Sequence, residues 1–163
     1  MGFGCDADMI GANPGQFLMV RLAGQQTPLL RRPFSIHRVI AENGRMIGFE
    51  ILYKVVGDGT RLLARRKPGE CLSVMGPIGI PFAIAHQRPL LIGGGVGMPP
   101  MIFIAQSLHR GERQPLVILG SEVPFPFAPR PSQFLLEGIP EGVIASMPLM
   151  EDWGIASRLA SLQ

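Results

Sequence analysis

A glycine-rich turn at residues 93–97 (GGGVG) constrains the fold of this chain more than any other segment. The turn follows a short apolar run at residues 89–92 and precedes an apolar stretch of helical length at residues 99–109. A second short apolar run occupies residues 115–119. Strand, glycine turn, helix and strand within about 30 residues is the pattern of a βαβ unit, which implies a parallel sheet.

The same turn has the chemistry of a phosphate site. Glycines between a buried strand and a helix let backbone N–H groups approach a phosphate closely, and the helix N-terminus adds partial positive charge. The turn departs from the strict GxGxxG pattern, because Pro100 stands where the last glycine belongs. The pattern favours phosphate binding, although a tight strand-to-helix turn alone also uses glycine.

The part of the chain before residue 87 has the pattern of an antiparallel β domain. Four apolar runs with proline and glycine turns between them occupy residues 16–22, 34–40, 46–56 and 71–75. Strands at this spacing predict a small β-barrel. A short helix is predicted at residues 60–66, with Thr60 as its cap. We therefore predict a barrel domain at residues 1–87 and a partial α/β domain at residues 88–163.

The last forty residues carry weaker signals. Residues 123–131 contain four prolines and exclude a regular element there. We expect the start of a helix at residues 132–136 and a third short strand at residues 142–147. Residues 155–162 have the composition of a helix.

Composition excludes several classes of protein. The net charge is +3, carried by 13 arginines and 2 lysines, which is too small and scattered an excess for nucleic-acid binding. It suits one anionic small ligand, or reflects a bias of genome composition. Cys5 and Cys71 form no CxxC pair, so neither a disulfide framework nor a cysteine metal site is expected.

Membrane insertion and secretion are not expected either. Residues 89–109 carry no formal charge, but their glycines and prolines argue for a buried segment of a globular domain rather than a membrane span. No charged segment followed by an apolar core begins the chain, so no signal peptide is predicted. The predicted location is the cytoplasm.

Two further segments are suited to bind anions. Arg32 at the start of a predicted strand can hold a phosphate through its forked guanidinium, with Ser35 on the opposite face, although a solvated basic turn has the same pattern. Gly59 and Thr60 close a segment with two glycines before the predicted helix, where an ordinary Asp-Gly turn is equally compatible. Tyr53 can stack on a planar ring or pack in the core. No nucleophile–base constellation is evident, which suggests that a cofactor supplies the chemistry.

Five motifs in this order resemble the ferredoxin–NAD(P)H reductase superfamily, most closely the electron-transfer subunits of B-type dihydroorotate dehydrogenases. The motifs are residues 14–17 (PGQF), 31–36 (RRPFSI), 53–60 (YKVVGDGT), 76–79 (GPIG) and 93–100 (GGGVGMPP). The resemblance implies a β-barrel that binds FAD, followed by an α/β domain that binds NAD(H). It also implies a place in pyrimidine biosynthesis.

The resemblance assigns roles to the residues of the barrel. Arg32 would contact the FAD phosphates and Ser35 the edge of the flavin ring. Pro33 and Phe34 would fix that strand, and Tyr53 would lie along the flavin. The pyrophosphate would also be bound where the short helix begins, by Gly59 and Thr60.

In the second domain, the resemblance places Gly94, Gly95 and Gly97 against the nicotinamide nucleotide. Glu122 follows the second α/β strand, where an acidic residue can accept ribose hydroxyls, which favours NADH over NADPH. A glutamate exposed in a loop is the alternative. The implied reaction is hydride transfer from NADH to FAD, followed by electron transfer to a partner protein or dehydrogenase subunit.

The chain also departs from the family. The family holds a [2Fe–2S] cluster on a group of cysteines, whereas two cysteines cannot supply four thiolates. The first barrel strand is not evident, so both ends look cropped by comparison with the family. We expect an exposed sheet edge that favours a homodimer. The alternative function is a non-catalytic fragment or interaction subunit that retains the reductase fold.

Overall fold

A computed structural model describes residues 1–5, 11–24 and 30–161. The chain divides into two compact units, Met1–Phe82 and Ala83–Gln163. They contain the two architectures that the sequence predicts, an antiparallel half-barrel sheet and a parallel sheet.

The first unit is built on a five-stranded antiparallel sheet with the strand order β1-β4-β3-β2-β5. A seven-residue helix, α1, connects β4 to β5. The strands are β1 (Gly2–Gly4), β2 (Phe17–Leu22), β3 (Arg32–Glu42), β4 (Arg45–Ile51) and β5 (Leu72–Ile78), and the helix α1 spans Asp58–Ala64.

Alternation of apolar side chains explains which face of this sheet is buried. In β2, Leu18, Val20 and Leu22 are buried while the residues between them are partly exposed, as expected for a strand with one covered face. Residues of β3 and β4 complete the core. The β3–β4 hairpin closes through Asn43 and Gly44, which both have positive φ (49° and 78°), the backbone of a tight hairpin turn.

Three local predictions for this unit are wrong. β4 ends at Ile51, so Tyr53 lies in the extended segment that follows the strand. Helix α1 begins earlier than expected: its cap is Gly57, and Thr60 is the third helical residue. The N-terminus does form a strand, because Gly2–Gly4 pairs with Gly48–Glu50 of β4. The signal for β1 was weak because it has only three residues, two of them glycine.

The presence of β1 changes which strand edges are available for the predicted homodimer. The exposed edge was expected because the first barrel strand was not evident, but β1 is present and pairs with β4, so the outer strands are β1 and β5. Self-association through a strand edge stays a prediction, with β5 as the longer of the two available edges.

The second unit is built around a three-stranded parallel sheet with the order β10-β7-β6. A 3₁₀ turn at Gly95–Gly97 joins β6 to helix α2. In chain order the elements are β6 (Leu90–Gly94), α2 (Met98–Leu108), β7 (Leu116–Ser121), β8 (Arg130–Pro131), β9 (Ala145–Ser146), α3 (Pro148–Asp152) and β10 (Ala156–Ser161). The predicted βαβ unit is therefore confirmed.

The packing of α2 explains why residues 89–109 lack charge. Ile102, Phe103 and Ala105 of the helix are buried, as are Val117 and Leu119 of the neighbouring strand. The face of a helix that is buried against a parallel sheet excludes unpaired charge. Among the residues that the structure describes, no helix is long and apolar enough to span a bilayer.

The predictions for the last forty residues are partly wrong. Residues 132–136 form no helix, and residues 130–131, in the segment predicted to exclude a regular element, form β8. The strand predicted at residues 142–147 is confirmed only as the two-residue β9, which pairs antiparallel with β8. Residues 156–161, predicted as helix, form β10, the third parallel strand; Leu162 lies outside the described residues. Pairing with β7 overrides the helix propensity of the alanine, leucine and arginine residues of this segment.

His37 is a half-buried titratable residue of the first unit. It lies on β3 beside Arg38, which forms an ion pair with Glu50 of β4. Its Nδ1 is buried without a hydrogen-bond partner in the described part of the chain. Burial, reinforced by the positive charge of Arg38, lowers the pKa of His37 from 6.5 to about 4.

This pKa predicts a pH dependence of stability. Between pH 6.5 and about 4 the unfolded chain protonates His37 and the folded chain does not, so the free energy of unfolding should decrease as the pH is lowered through this range. His37→Gln should flatten that part of the curve, measured by urea unfolding at several pH values. Substitution of the exposed His86 by glutamine is the control. An unchanged slope in His37→Gln would contradict the assignment.

Candidate functional site

The guanidinium of Arg32 lies flat against the backbone of Gly59. Arg32 is the first residue of β3, and Gly59 is the second residue of α1. A Cβ atom on Gly59 would be 2.1 Å from Nε and 2.2 Å from Cζ of Arg32. Only glycine leaves room for this contact. The sequence motifs that contain these two residues are thus brought together, although they lie 27 positions apart.

The contact forms part of a pocket at the end of β2 and β3. The lining residues are Val20, Arg21, Leu22, Arg32, Phe34, Gly59 and Leu63. They include two arginines and no carboxylate, and the other side chains are apolar. The arrangement suits an anionic group attached to a largely apolar molecule.

Thr60 organises the backbone that precedes α1. Its hydroxyl accepts hydrogen bonds from the N–H groups of Val56 and Gly57, at 3.0 and 3.1 Å, and donates to the carbonyl oxygen of Gly57 at 3.0 Å. These contacts use the one donor and both acceptor positions of a hydroxyl. The residue therefore fixes the loop through its side chain, and its backbone N–H is the group left for a ligand.

Phe34 and Tyr53 form an aromatic pair beside this pocket. Their ring centroids are 5.5 Å apart in an edge-to-face arrangement. Both side chains are half-buried, and burial raises the pKa of Tyr53. The neighbouring Pro33 and Ser35 pair with Met19 and Phe17 of β2. Arg32, Pro33, Phe34 and Ser35 are thus held in one strand, with Phe34 in contact with Tyr53.

The adjacent Arg31 and Arg32 have different partners. Arg31 donates to the carbonyl oxygen of Ser73 at 2.6 Å and to its hydroxyl at 2.9 Å, which ties the start of β3 to β5. Arg32 donates to the carbonyl oxygen of Leu30 at 2.9 Å. Neither arginine is simply a solvated charge, and only Arg32 lines the pocket. The sequence could not distinguish them because the partner Ser73 is 42 residues away.

The glycines of the second unit divide into two kinds. Gly93 is required for packing, since a Cβ there would be 2.8 Å from the Gly97 carbonyl oxygen, and Gly95 has a positive φ of 52°. A Cβ on Gly97 would meet nothing within 4 Å, and one on Gly94 only the Gly120 oxygen at 3.9 Å. The fold explains Gly93 and Gly95, whereas Gly94 and Gly97 leave open space beside the backbone.

Gly120 is a residue that the sequence predictions missed. It pairs directly with Gly94 across β6 and β7, and a Cβ there would also meet nothing within 4 Å. The two glycines become neighbours only through the alignment of β6 with β7, so no short sequence motif could predict the pair. Glu122 is exposed and follows Ser121, the last residue of β7, at the carboxyl edge where α/β sheets bind ligands.

Among the described residues, no group of three or more His, Cys, Asp or Glu side chains could hold a metal ion. The positively charged pocket, the aromatic pair and the glycine turn are features that nucleotide-binding proteins share. An antiparallel half-barrel unit and a unit with a parallel sheet are the two parts of the ferredoxin reductase-like fold.

Comparison with solved structures supports this class. The chain aligns with an NADH-dependent reduced ferredoxin-NADP oxidoreductase over 92% of its length and 47% of that chain, with 24% identity and a TM-score of 0.64. It aligns with the cytochrome b5 reductase domain of Ulva prolifera nitrate reductase over 98% of its length and 65% of that chain, with 15% identity and a TM-score of 0.62. The chain therefore has the ferredoxin reductase fold.

Comparison with the sequences of known proteins identifies relatives that are more similar to this chain than the solved structures are. No family model matches the chain. It is 41% identical over 112 residues to the electron transfer subunit of dihydroorotate dehydrogenase B (NAD(+)) from Bacillus mycoides, and 39% identical over 111 residues to that of Geobacillus kaustophilus. Each match covers 66% of this chain and 42% of the relative. The resemblance seen in the motifs is thus confirmed: the chain is similar to these electron transfer subunits and spans about two fifths of their length.

The contact between Arg32 and Gly59 can be tested by Gly59→Ala. The added methyl group must displace the guanidinium, which is the far end of a flexible side chain. We expect the unfolding free energy to stay within about 1 kcal/mol of the wild type, since alanine favours the helix. FAD affinity should fall at least about tenfold, because a charged hydrogen-bond partner is displaced.

Flavin fluorescence titration and urea unfolding would measure the two quantities. Gly11→Ala is the control, because a Cβ at Gly11 meets nothing within 4 Å and Gly11 does not line the pocket. Equal FAD affinity in Gly59→Ala and the wild type would show that the contact does not position the arginine for a ligand.

Proposed function

We propose that this protein is the FAD- and NADH-binding part of a flavin-dependent electron-transfer protein. The observation that carries the proposal is the packing of Arg32 on Gly59 in a pocket with no carboxylate. Similarity to dihydroorotate dehydrogenase B electron transfer subunits supports it.

The residues of the first unit fit FAD. The pocket offers positive charge for a diphosphate, and a bare glycine Cα keeps the guanidinium close to the backbone that begins α1. The aromatic pair of Phe34 and Tyr53 offers ring surface for a planar group. We assign Arg32, Gly59 and the Thr60 backbone N–H to the diphosphate, and Pro33, Phe34, Ser35 and Tyr53 to the flavin.

When bound, FAD supplies the redox chemistry: it accepts a hydride equivalent and releases electrons to an acceptor. The chain itself orients and retains the cofactor. Arg31 and its contacts with Ser73 hold the start of β3, so that Arg32 reaches the pocket from a fixed backbone. Thr60 holds the loop before α1 in place by accepting hydrogen bonds from the N–H groups of Val56 and Gly57.

The second unit fits a nicotinamide nucleotide. Open space beside Gly94, Gly97 and Gly120 allows a ligand to approach the backbone, and α2 begins directly after the turn. We assign Gly94, Gly95 and Gly97 to NAD(H). Glu122 would accept ribose hydroxyls and so favour NADH over NADPH.

The physiological acceptor is a partner protein in this proposal. The chain would deliver electrons to a dehydrogenase subunit, as expected for a relative of dihydroorotate dehydrogenase B, and would thereby serve pyrimidine biosynthesis. A homodimer and a cytoplasmic location stay predictions.

The proposed function predicts FAD uptake and NADH oxidation. The purified full chain, incubated with FAD and desalted, should retain the visible flavin absorption and lose it when NADH is added without oxygen. A protein that takes up no FAD would contradict the proposal and favour a non-catalytic interaction subunit.

Two substitutions in the glycine turn should have different effects, one on NADH binding and the other on stability. Gly97→Ala should leave the melting temperature and FAD content unchanged, because the methyl group enters open space, but should raise the NADH concentration needed for half-maximal flavin reduction by about tenfold. Gly93→Ala should lower the melting temperature, because its Cβ would be 2.8 Å from a carbonyl oxygen. Stopped-flow reduction and thermal melting measure both. Wild-type NADH dependence in Gly97→Ala would remove the turn from the binding site.

A further inference from the structure

A proline-rich segment between β7 and β8 carries two phenylalanines that the proposed function does not use. Phe125 and Phe127 alternate with the exposed Pro124 and Pro126. The two rings are stacked, with centroids 5.2 Å apart and an interplanar angle of 28°. Both side chains are only half-buried and neither belongs to the core of the second unit, so part of each ring lies at the surface. The pair is therefore a small aromatic surface.

The backbone of this segment is held at both ends. At its start, the N–H of Val123 donates to the hydroxyl of Ser121, the last residue of β7, at 3.3 Å. At its end, the guanidinium of Arg130 donates to the carboxylate of Asp152 at 2.5 Å. The prolines in between fix their own φ and restrict the residues before them. A planar ligand would thus meet a preformed surface, which lowers the entropic cost of binding.

The aromatic pair follows closely the residue that is proposed to bind ribose. Glu122 is exposed and comes directly after β7, where an acidic residue of an α/β dinucleotide site accepts hydroxyls of the adenosine ribose. Phe125 is three positions further on, and an extended chain spans about 3.6 Å per residue, so the two Cα atoms are at most about 11 Å apart. Adenine is bonded directly to that ribose. A base bound here would therefore lie within reach of the aromatic pair.

We propose that Phe125 and Phe127 form the adenine-binding surface of the second unit, on which the base of NAD(H) stacks. The proposal rests on the proposed function and extends it to the base, because the glycine turn and Glu122 account only for the phosphates and the ribose. Residues 123–127 carry no hydrogen-bonding side chain. Recognition through the face of the ring needs none, since stacking on an aromatic side chain uses the π-face that every base has.

The test compares ligands that contain adenine with one that lacks it. Dissociation constants of NAD⁺, ADP-ribose and nicotinamide mononucleotide are measured by calorimetry for the full chain loaded with FAD, which occupies the diphosphate site of the first unit. We expect NAD⁺ and ADP-ribose to bind at least about fivefold more weakly to Phe125→Ala/Phe127→Ala than to the wild type. Binding of the mononucleotide should be unchanged. Phe125→Tyr/Phe127→Tyr keeps both rings and should keep the affinity for all three ligands.

Phe134→Ala is the matched control. Phe134 is also half-buried, lies between β8 and β9, and is not part of the stacked pair. Its substitution removes the same side-chain atoms and should change the affinity for ADP-ribose less than about twofold. Thermal melting checks folding. If the alanine variant is unstable, Phe125→Leu/Phe127→Leu keeps the apolar volume, removes both rings and should weaken ADP-ribose binding in the same direction.

Three results would overturn the proposal. They are wild-type affinity for ADP-ribose in the variants without rings, an equal loss of affinity for the mononucleotide, which would indicate a displaced loop, and an equal loss in Phe134→Ala. A wild-type chain that takes up no FAD or binds no NAD⁺ refutes the proposed function and the adenine site with it. Normal binding of FAD and NAD⁺ with unaffected variants refutes only the role of the two phenylalanines.

Discussion

The close contact between Arg32 and Gly59 is the constraint on which the proposed cofactor site of the first unit depends. A guanidinium can rest on a helix backbone only where no side chain intervenes, so the contact requires glycine at position 59. It also requires β3 and α1 to meet at one place, which the Arg31–Ser73 hydrogen bonds and the Thr60 loop contacts provide from either side. The proposed cofactor site is therefore a product of the sheet register and of one short helix.

The space around each glycine of the second unit distinguishes glycines that the fold requires from glycines that a ligand could approach. Gly93 allows α2 to approach β6, and Gly95 adopts a positive φ, so the fold itself demands both. Gly94, Gly97 and Gly120 have room for a side chain that they lack. Open space beside a glycine thus indicates which turn residues are available to a ligand, a distinction that the motifs alone do not make.

The sequence predicted most of the fold, because glycine and proline turns separate apolar runs of recognisable length. The antiparallel sheet and the βαβ unit follow from that pattern. The pattern of apolar runs did not predict β1, which is too short to show alternation. It predicted a helix in place of β10, because pairing with β7 outweighs helix propensity. The motifs named Arg32 and Gly59 as candidates, but their contact, the role of Arg31 and the Gly94–Gly120 pair depend on residues distant in sequence. Roles in cofactor binding stay predictions.

Binding of the FAD diphosphate by Arg32 is tested most directly by the dissociation constants of FAD and of riboflavin for Arg32→Ala and the wild type. We expect FAD binding to weaken by at least about tenfold and riboflavin binding to stay unchanged, because only FAD carries the phosphates. Equal FAD affinity for the two proteins, or an equal loss for both ligands, would contradict it.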